Sequence, residues 1–296
     1  MKNIIKSNIK QLRDPFVFAE NGKYYMYGTL PAGEDWDGTC WGCYISDGDL
    51  ENWVKCEKEL VIEPANCVRN RWAPEVYKYK GKYYMFTTYY SSVNERRGCT
   101  ILRADSPEGP FEEITNGHIT PSDWDAIDGT FYVDEDNQPW MIFVHEWVST
   151  DDNVGRMAAA KLSDDLTHFI SEPIELFRAD EPEWAANGVT DGCFMYKTKD
   201  NDLLMLWSNF DKDGYCVAIV KSDNGKPDGK WIHNKELLFS KTISGEAEGG
   251  HGMIFTAFDG QKYLSIHSPN HPQGDVLESP IFIPVEEENG NLVYKK

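Results

Sequence analysis

The sequence predicts an all-β protein, a five-bladed β-propeller. Three observations carry the prediction. One hairpin pattern recurs five times along the 296 residues. No segment sustains an apolar period of 3.6, so no sizeable helix is expected. Aromatic residues make up 13% of the chain, with 10 Trp and 15 Tyr, enough to fill a broad β core and still line a cleft. The expected organisation is one domain over residues 1–296, since all-β propellers of this length form single units.

The first hairpin is Arg13-Asp14-Pro15-Phe16-Val17-Phe18, the turn Asn21-Gly22, and the strand from Lys23 to Thr29. Pro15 disfavours helix at Asp14. Asn-Gly between two β-rich runs marks a tight hairpin. The second copy runs from Trp72-Ala73-Pro74-Glu75 through Lys80-Gly81 to Lys82-Tyr83-Tyr84-Met85, nearly repeating the second strand of the first. The third begins Ile127-Asp128-Gly129-Thr130-Phe131 and turns at residues 134–137. The fourth begins Thr190-Asp191-Gly192-Cys193, and the fifth begins Gly250-His251-Gly252 and turns at Asp259-Gly260. Asp14, Glu75, Asp128, Asp191 and His251 head the copies at intervals of 53 to 63 residues, near the size of a four-stranded blade.

Further strand-like runs fill the gaps. Residues 42–46 precede Trp53, 99–107 precede Phe111, 157–163 precede Phe169 and 215–223 precede Trp231, each reading as the outer part of a blade closed by an aromatic. Residues 268–272 read as a closure of the propeller or the wall of a subsite. Glu286-Glu287-Glu288 reads as a solvated turn before a last strand at residues 292–294.

Composition narrows function. A net charge of −20 opposes binding to nucleic acid or an anionic membrane, which need basic patches. No run approaches a membrane span, and the first ten residues lack the apolar stretch of a signal peptide. Seven cysteines in an odd, unpatterned set suit free thiols in a reducing cytoplasm. Cys40-Trp41-Gly42-Cys43 lacks the second ligand pair of a zinc site.

Inner strands of a propeller converge on one axis, so the five heads are expected to crowd one end of the channel. A single Asp there caps a turn without further meaning. Several carboxylates together repel one another and shift each other's pKa, a cost that points to use. With no nucleotide loop and no Ser/His/Asp or Cys/His arrangement, paired carboxylates point to acid/base hydrolysis, with glycoside cleavage as the leading case. Trp72 beside Glu75 reads as either core or the stacking wall of a sugar site, and Phe16 and Glu75 are further substrate-binding candidates. Trp36, Trp124 and Trp147 near the heads read as blade core.

Arg-Asp-Pro-Phe, Trp-Ala-Pro-Glu, Ile-Asp-Gly-Thr-Phe and Gly-His-Gly, in this order, resemble glycoside hydrolase family 43, the five-bladed inverting arabinofuranosidases, xylosidases and arabinanases. The resemblance spans essentially the whole chain. It implies Asp14 as general base, Asp128 as the carboxylate that orients the acid and raises its pKa, and His251 on the central axis, where some members hold a calcium or other ion. No cofactor is otherwise expected. The fourth head departs from the family's usual Glu-Gly-Pro, because Asp191-Gly192-Cys193 stands there. Asp reaches about 1.5 Å less than Glu, the length of one C–C bond. Three readings follow: Asp191 is the acid on a backbone moved inward; Glu75, Glu146 or Glu183 supplies the proton; or the protein is a weak or non-catalytic carbohydrate-binding relative. The first is favoured, because Asp191 keeps the motif position and its Gly. The expected substrates are short neutral oligosaccharides carrying arabinofuranose or xylose. A fructan hydrolase would need an Asn-Asp-Pro-Asn-like motif, which is absent, and a phosphorylase would need basic residues that do not cluster near the heads.

Overall fold

In a computed structural model, residues 3–30, 37–245 and 247–295 are described. They form five antiparallel sheets. The first holds β2 (Arg13–Glu20), β3 (Lys23–Leu30), β4 (Cys40–Ser46) and β5 (Val54–Lys55). The second holds β6 (Cys67–Tyr79), β7 (Lys82–Ser91), β8 (Arg96–Ala104) and β9 (Glu112–Glu113). The third holds β10 (Ala126–Val133), β11 (Pro139–His145), β12 (Arg156–Lys161) and β13 (Ile174–Arg178). The fourth holds β14 (Asp191–Lys197), β15 (Leu203–Asp211), β16 (Gly214–Ser222) and β17 (Trp231–His233). The fifth holds β18 (Gly250–Thr256), β19 (Lys262–Ser268) and β20 (Ser279–Glu288), and β20 also pairs with β1 (Ile5–Lys6) and β21 (Asn291–Tyr294). Each of the innermost strands β2, β6, β10, β14 and β18 touches its two neighbours in that cycle, which closes the five blades around an axis.

Local chemistry explains the hairpins. Asn21 and Gly22 both take positive φ, as do Lys80 and Gly81, and this is the turn whose twist matches paired strands. The aromatic closers behave as expected: Trp53, Phe111 and Trp231 are buried, and Phe169 bridges back to Leu162. Closure joins the two ends of the chain. Ile5 pairs with Phe282, Arg13 forms an ion pair with Glu278, and Arg13 Nη2 donates to Asn270 Oδ1 at 2.8 Å. Residues 268–272 therefore contribute to closure.

Two expectations change. Glu286–Glu288 lies inside β20, and the turn is Asn289-Gly290. Glu287 is not a solvated charge: its carboxylate accepts from Tyr196 Oη at 2.5 Å and from the Lys199 amide at 2.8 Å, tying blade five to blade four. Among the described residues, helix is confined to single turns, Trp147–Ser149 and α1 (Lys241–Ser244). Trp36, read from the sequence as blade core, lies outside the described residues.

Candidate active site

Every inner strand carries a β-bulge near its start. Pairing with the second strand breaks between Arg13 and Phe16, Trp72 and Glu75, Ile127 and Thr130, Asp191 and Phe194, and Gly250 and Met253. The first bulged residue sits in the left-handed region in all five blades: Asp14 (φ 54°), Ala73 (44°), Asp128 (57°), Gly192 (52°) and His251 (52°). Four of these are not glycine. Such backbone costs about 1–3 kcal/mol per residue and persists where surrounding contacts enforce it.

This register corrects the sequence reading of five equivalent heads. Only Asp14, Asp128 and His251 share the position. Asp191 is one residue earlier, opposite Ser208. Glu75 is two residues later, level with Phe16, Thr130, Phe194 and Met253, one layer down the axis. Aligning Pro15 with Pro74 in the sequence would have shown that Ala73 answers Asp14.

The bulges leave five amides pointing out of the ladder, and a second set of residues receives them. The Ala73 amide donates to Thr29 Oγ1 at 2.8 Å, the Asp128 amide to Thr88 Oγ1 at 3.0 Å, the His251 amide to Ser208 Oγ at 2.8 Å, and the Asp14 amide to His267 Nδ1 at 3.2 Å. Each acceptor lies on the second strand of the preceding blade. Blade three has Val144 at that place, which cannot accept, and the Gly192 amide instead donates to Asp128 Oδ2 at 2.8 Å. Thr29, Thr88, Ser208 and His267 were missed from sequence. Their signal was a polar residue near the end of an otherwise apolar second strand.

The ring differentiates its carboxylates. Thr29 Oγ1 donates to Asp14 Oδ2 at 2.6 Å, and His251 Nδ1 lies 3.2 Å from Asp14 Oδ1 and 3.8 Å from Asp128 Oδ2. Burial alone would raise the Asp14 pKa; His251, Arg13 and the Thr29 hydroxyl outweigh it and hold Asp14 below the ordinary carboxylate value. His267 is neutral there and orients the Asp14 backbone. Burial drops its pKa to about 3, and its Nδ1 accepts the Asp14 amide, so Nε2 carries the proton and donates to Asn270 Oδ1 at 3.0 Å. Asp128 and Asp191 move the other way. Burial raises both; the charge of Asp14 adds to the effect on Asp128, and that of Asp128 to the effect on Asp191. Tyr215 Oη donates to Asp191 Oδ2 at 3.0 Å. Asp128 is buried, whereas Asp14, Asp191 and His251 keep partial exposure.

Of the remaining candidates, Phe16 is buried and packs edge-on against Tyr77 and Phe194, with centroids 5.1 and 6.2 Å apart, so it belongs to the axial core rather than to a substrate surface. Glu75 is buried beneath the ring, where burial raises its pKa to about 8, and it accepts from Tyr77 Oη at 2.5 Å. It is a neutral acid at pH 7, out of reach of a sugar above the ring. Glu183 is exposed in the turn before β14. Glu146 is buried, and Arg97 Nε donates to its Oε2 at 2.6 Å. Arg97, also missed from sequence, lies 5.5 Å over the half-buried Trp72 ring, joining Trp72 to Glu146. Trp124 stacks on His145 at 3.9 Å, as core, and Trp147 is half-buried in its single helical turn.

Among the described residues no group of three His, Cys, Asp or Glu side chains is placed to hold a metal ion. Calcium takes six to eight oxygens, and the His251 Nδ1 is directed at Asp14. Among the described residues, these side chains do not by themselves make a calcium cage.

Comparison with known proteins bears on the family and the fold. The family model described as "Glycosyl hydrolases family 43" matches residues 5–283. A solved endo-arabinase from Bacteroides thetaiotaomicron is 34% identical, with a TM-score of 0.82 over 97% of this chain and 98% of that one. A solved endo-1,4-β-xylanase from the same organism is 25% identical, with a TM-score of 0.80 over 99% and 97%. A β-D-galactofuranosidase of Aspergillus niger is 24% identical over 274 residues, 86% of this chain and 72% of that protein.

Proposed function

The chain belongs to glycosyl hydrolase family 43, and from that premise we propose that it is an inverting glycosidase acting on arabinofuranosyl or xylosyl linkages in short neutral oligosaccharides. The observation that carries the reading is the divergence of the carboxylates within one ring. Asp14 is held ionised while Asp191 is pushed toward its protonated form. Environments that separate the pKa values of neighbouring carboxyl groups assign an acid and a base.

In this mechanism the Asp14 carboxylate takes a proton from a water on one face of the sugar. The Asp191 carboxyl delivers a proton to the leaving oxygen as the glycosidic bond breaks through an oxocarbenium-like transition state. Asp128 accepts the Gly192 amide, which fixes the peptide beside the acid, and the repulsion between the two buried carboxyls opposes their ionising together, so the pair retains a proton for delivery. His251 sits between base and modulator and favours ionised Asp14. Trp72, backed by Arg97, supplies a flat face beside the ring. The 34% identity to an endo-arabinase supports an arabinan-type substrate, and the xylanase likeness supports xylosyl units as the alternative. The seven unpaired cysteines support action in a reducing compartment.

The test is a panel of aryl arabinofuranosides, xylosides and galactosides with arabino- and xylo-oligosaccharides, followed by NMR of the first anomer released. Turnover with inverted configuration is expected. A retained anomer refutes the mechanism. A folded protein that binds but cleaves none of the panel supports the rival reading, a carbohydrate-binding propeller, which the shortened acid at Asp191 favours.

A further inference from the structure

We propose that Tyr215 is a positioning residue that holds the short Asp191 carboxyl in place for proton delivery. The inference rests on the assignment of Asp191 as general acid and extends it to a residue on the third strand of blade four.

The placement is built rather than incidental. Tyr215 is buried, and its hydroxyl donates to Asp191 Oδ2 at 3.0 Å. Its amide donates to Glu248 Oε2 at 2.8 Å, and its carbonyl accepts the Gly249 amide at 3.2 Å. Its ring stacks on His267, centroids 5.8 Å apart and 23° between planes, and His267 in turn receives the Asp14 amide. One ring thus spans from the neighbourhood of the base to the acid. Gly250 makes the room: a Cβ there would lie 2.4 Å from Tyr215 Cε1.

The need follows from the sequence. An Asp carboxyl ends one methylene closer to its backbone than Glu, and catalysis is sensitive to displacements of about 1 Å. A fixed donor on Oδ2 selects one rotamer and leaves Oδ1 to carry the transferable proton. The groups facing Asp191 are Asp128 from β10, Glu146 after β11, His251 from β18 and Tyr215 from β16. Asp128 and Glu146 oppose ionisation, whereas His251 and Tyr215 favour it. Losing the hydroxyl therefore raises the Asp191 pKa and moves the alkaline limb of activity to higher pH.

The experiment compares wild type, Tyr215→Phe and Gly250→Ala. Expected for Tyr215→Phe is a fall in kcat of roughly 10- to 100-fold on unactivated oligosaccharides. KM and the rates on aryl glycosides with good leaving groups stay near wild type, and the alkaline limb moves up. Gly250→Ala, which pushes the ring away, should give the same leaving-group pattern. Equal losses on all leaving groups, or no loss, with an unmoved alkaline limb overturn the proposal. Carboxyl NMR titration of Asp-labelled protein reads Asp191 whether or not the protein turns over. An Asp191 titration unchanged by Tyr215→Phe overturns the proposal by itself. Wild type that cleaves nothing overturns the hydrolase reading and leaves that titration to decide whether Tyr215 holds the carboxyl.

Discussion

Thr29→Val separates the two tasks that one hydroxyl performs. Thr29 Oγ1 donates to Asp14 Oδ2 at 2.6 Å and accepts the Ala73 amide at 2.8 Å. Val has nearly the same shape, so no cavity forms and both bonds are lost. Ala73 is buried, and its orphaned amide should cost about 1–3 kcal/mol, or a few degrees in Tm for a chain of this size. The second effect is on Asp14. A hydrogen bond to a charged group contributes about 1.5–3 kcal/mol. Its loss disfavours the carboxylate, so the depressed pKa rises and the acid limb of kcat/KM moves to higher pH. At a fixed pH on that limb the rate should fall roughly 10- to 100-fold, since about 1.4 kcal/mol is tenfold. At neutral pH, where Asp14 stays ionised in both proteins, the rate should be near wild type. The assay is a pH–rate profile with an activated aryl glycoside beside a thermal melt, and Thr29→Ser, which keeps both bonds, is the control. A variant that melts lower yet keeps its acid limb in place would refute the claim that Thr29 tunes the base.

Three further outcomes test the assignments. Asp14→Asn should abolish turnover and keep the fold, because Asn tolerates the left-handed backbone of that position; near-wild-type rates would remove Asp14 as base. Asp191→Asn should stop cleavage of natural substrates and spare activated aryl glycosides in part, and intact turnover of natural substrates would move the acid elsewhere. Glu75→Gln should leave activity at pH 6–7 unchanged, because Glu75 is already neutral there. The folded value of about 8 lies above the ordinary 4.5. Glu75 therefore contributes stability that is fully present below about 4.5 and is lost as pH rises toward 8. The variant should show a shallower decline of Tm across that window, and an unchanged decline would place the Glu75 proton elsewhere.

The sequence determined the architecture because its signals are local. Asn21-Gly22 and Lys80-Gly81 fix turns through backbone sterics, alternating aromatics fix strands, and five repeats can bury their faces only by closing on one another. Asp14, Asp128 and His251 were also legible, since each stands beside a Pro or Gly that marks a break in the ladder. Register was legible only at the shared Pro15 and Pro74, and elsewhere the sequence could not set it. A bulge adds one residue to one strand, and two residues along a strand moves a side chain one layer down the axis. That is why Glu75 left the ring for the axial core and Phe16 left the substrate surface. The partners of the bulged amides, Thr29, Thr88, Ser208 and His267, lie 40 to 253 residues from the groups they serve. Tyr215 reaches Asp191 only because Gly250, from the next blade, leaves space. Sequence determined that carboxylates would converge. Only the tertiary structure decided which of them is charged, because a pKa is set by the burial, donors and neighbouring charges that distant strands bring to it.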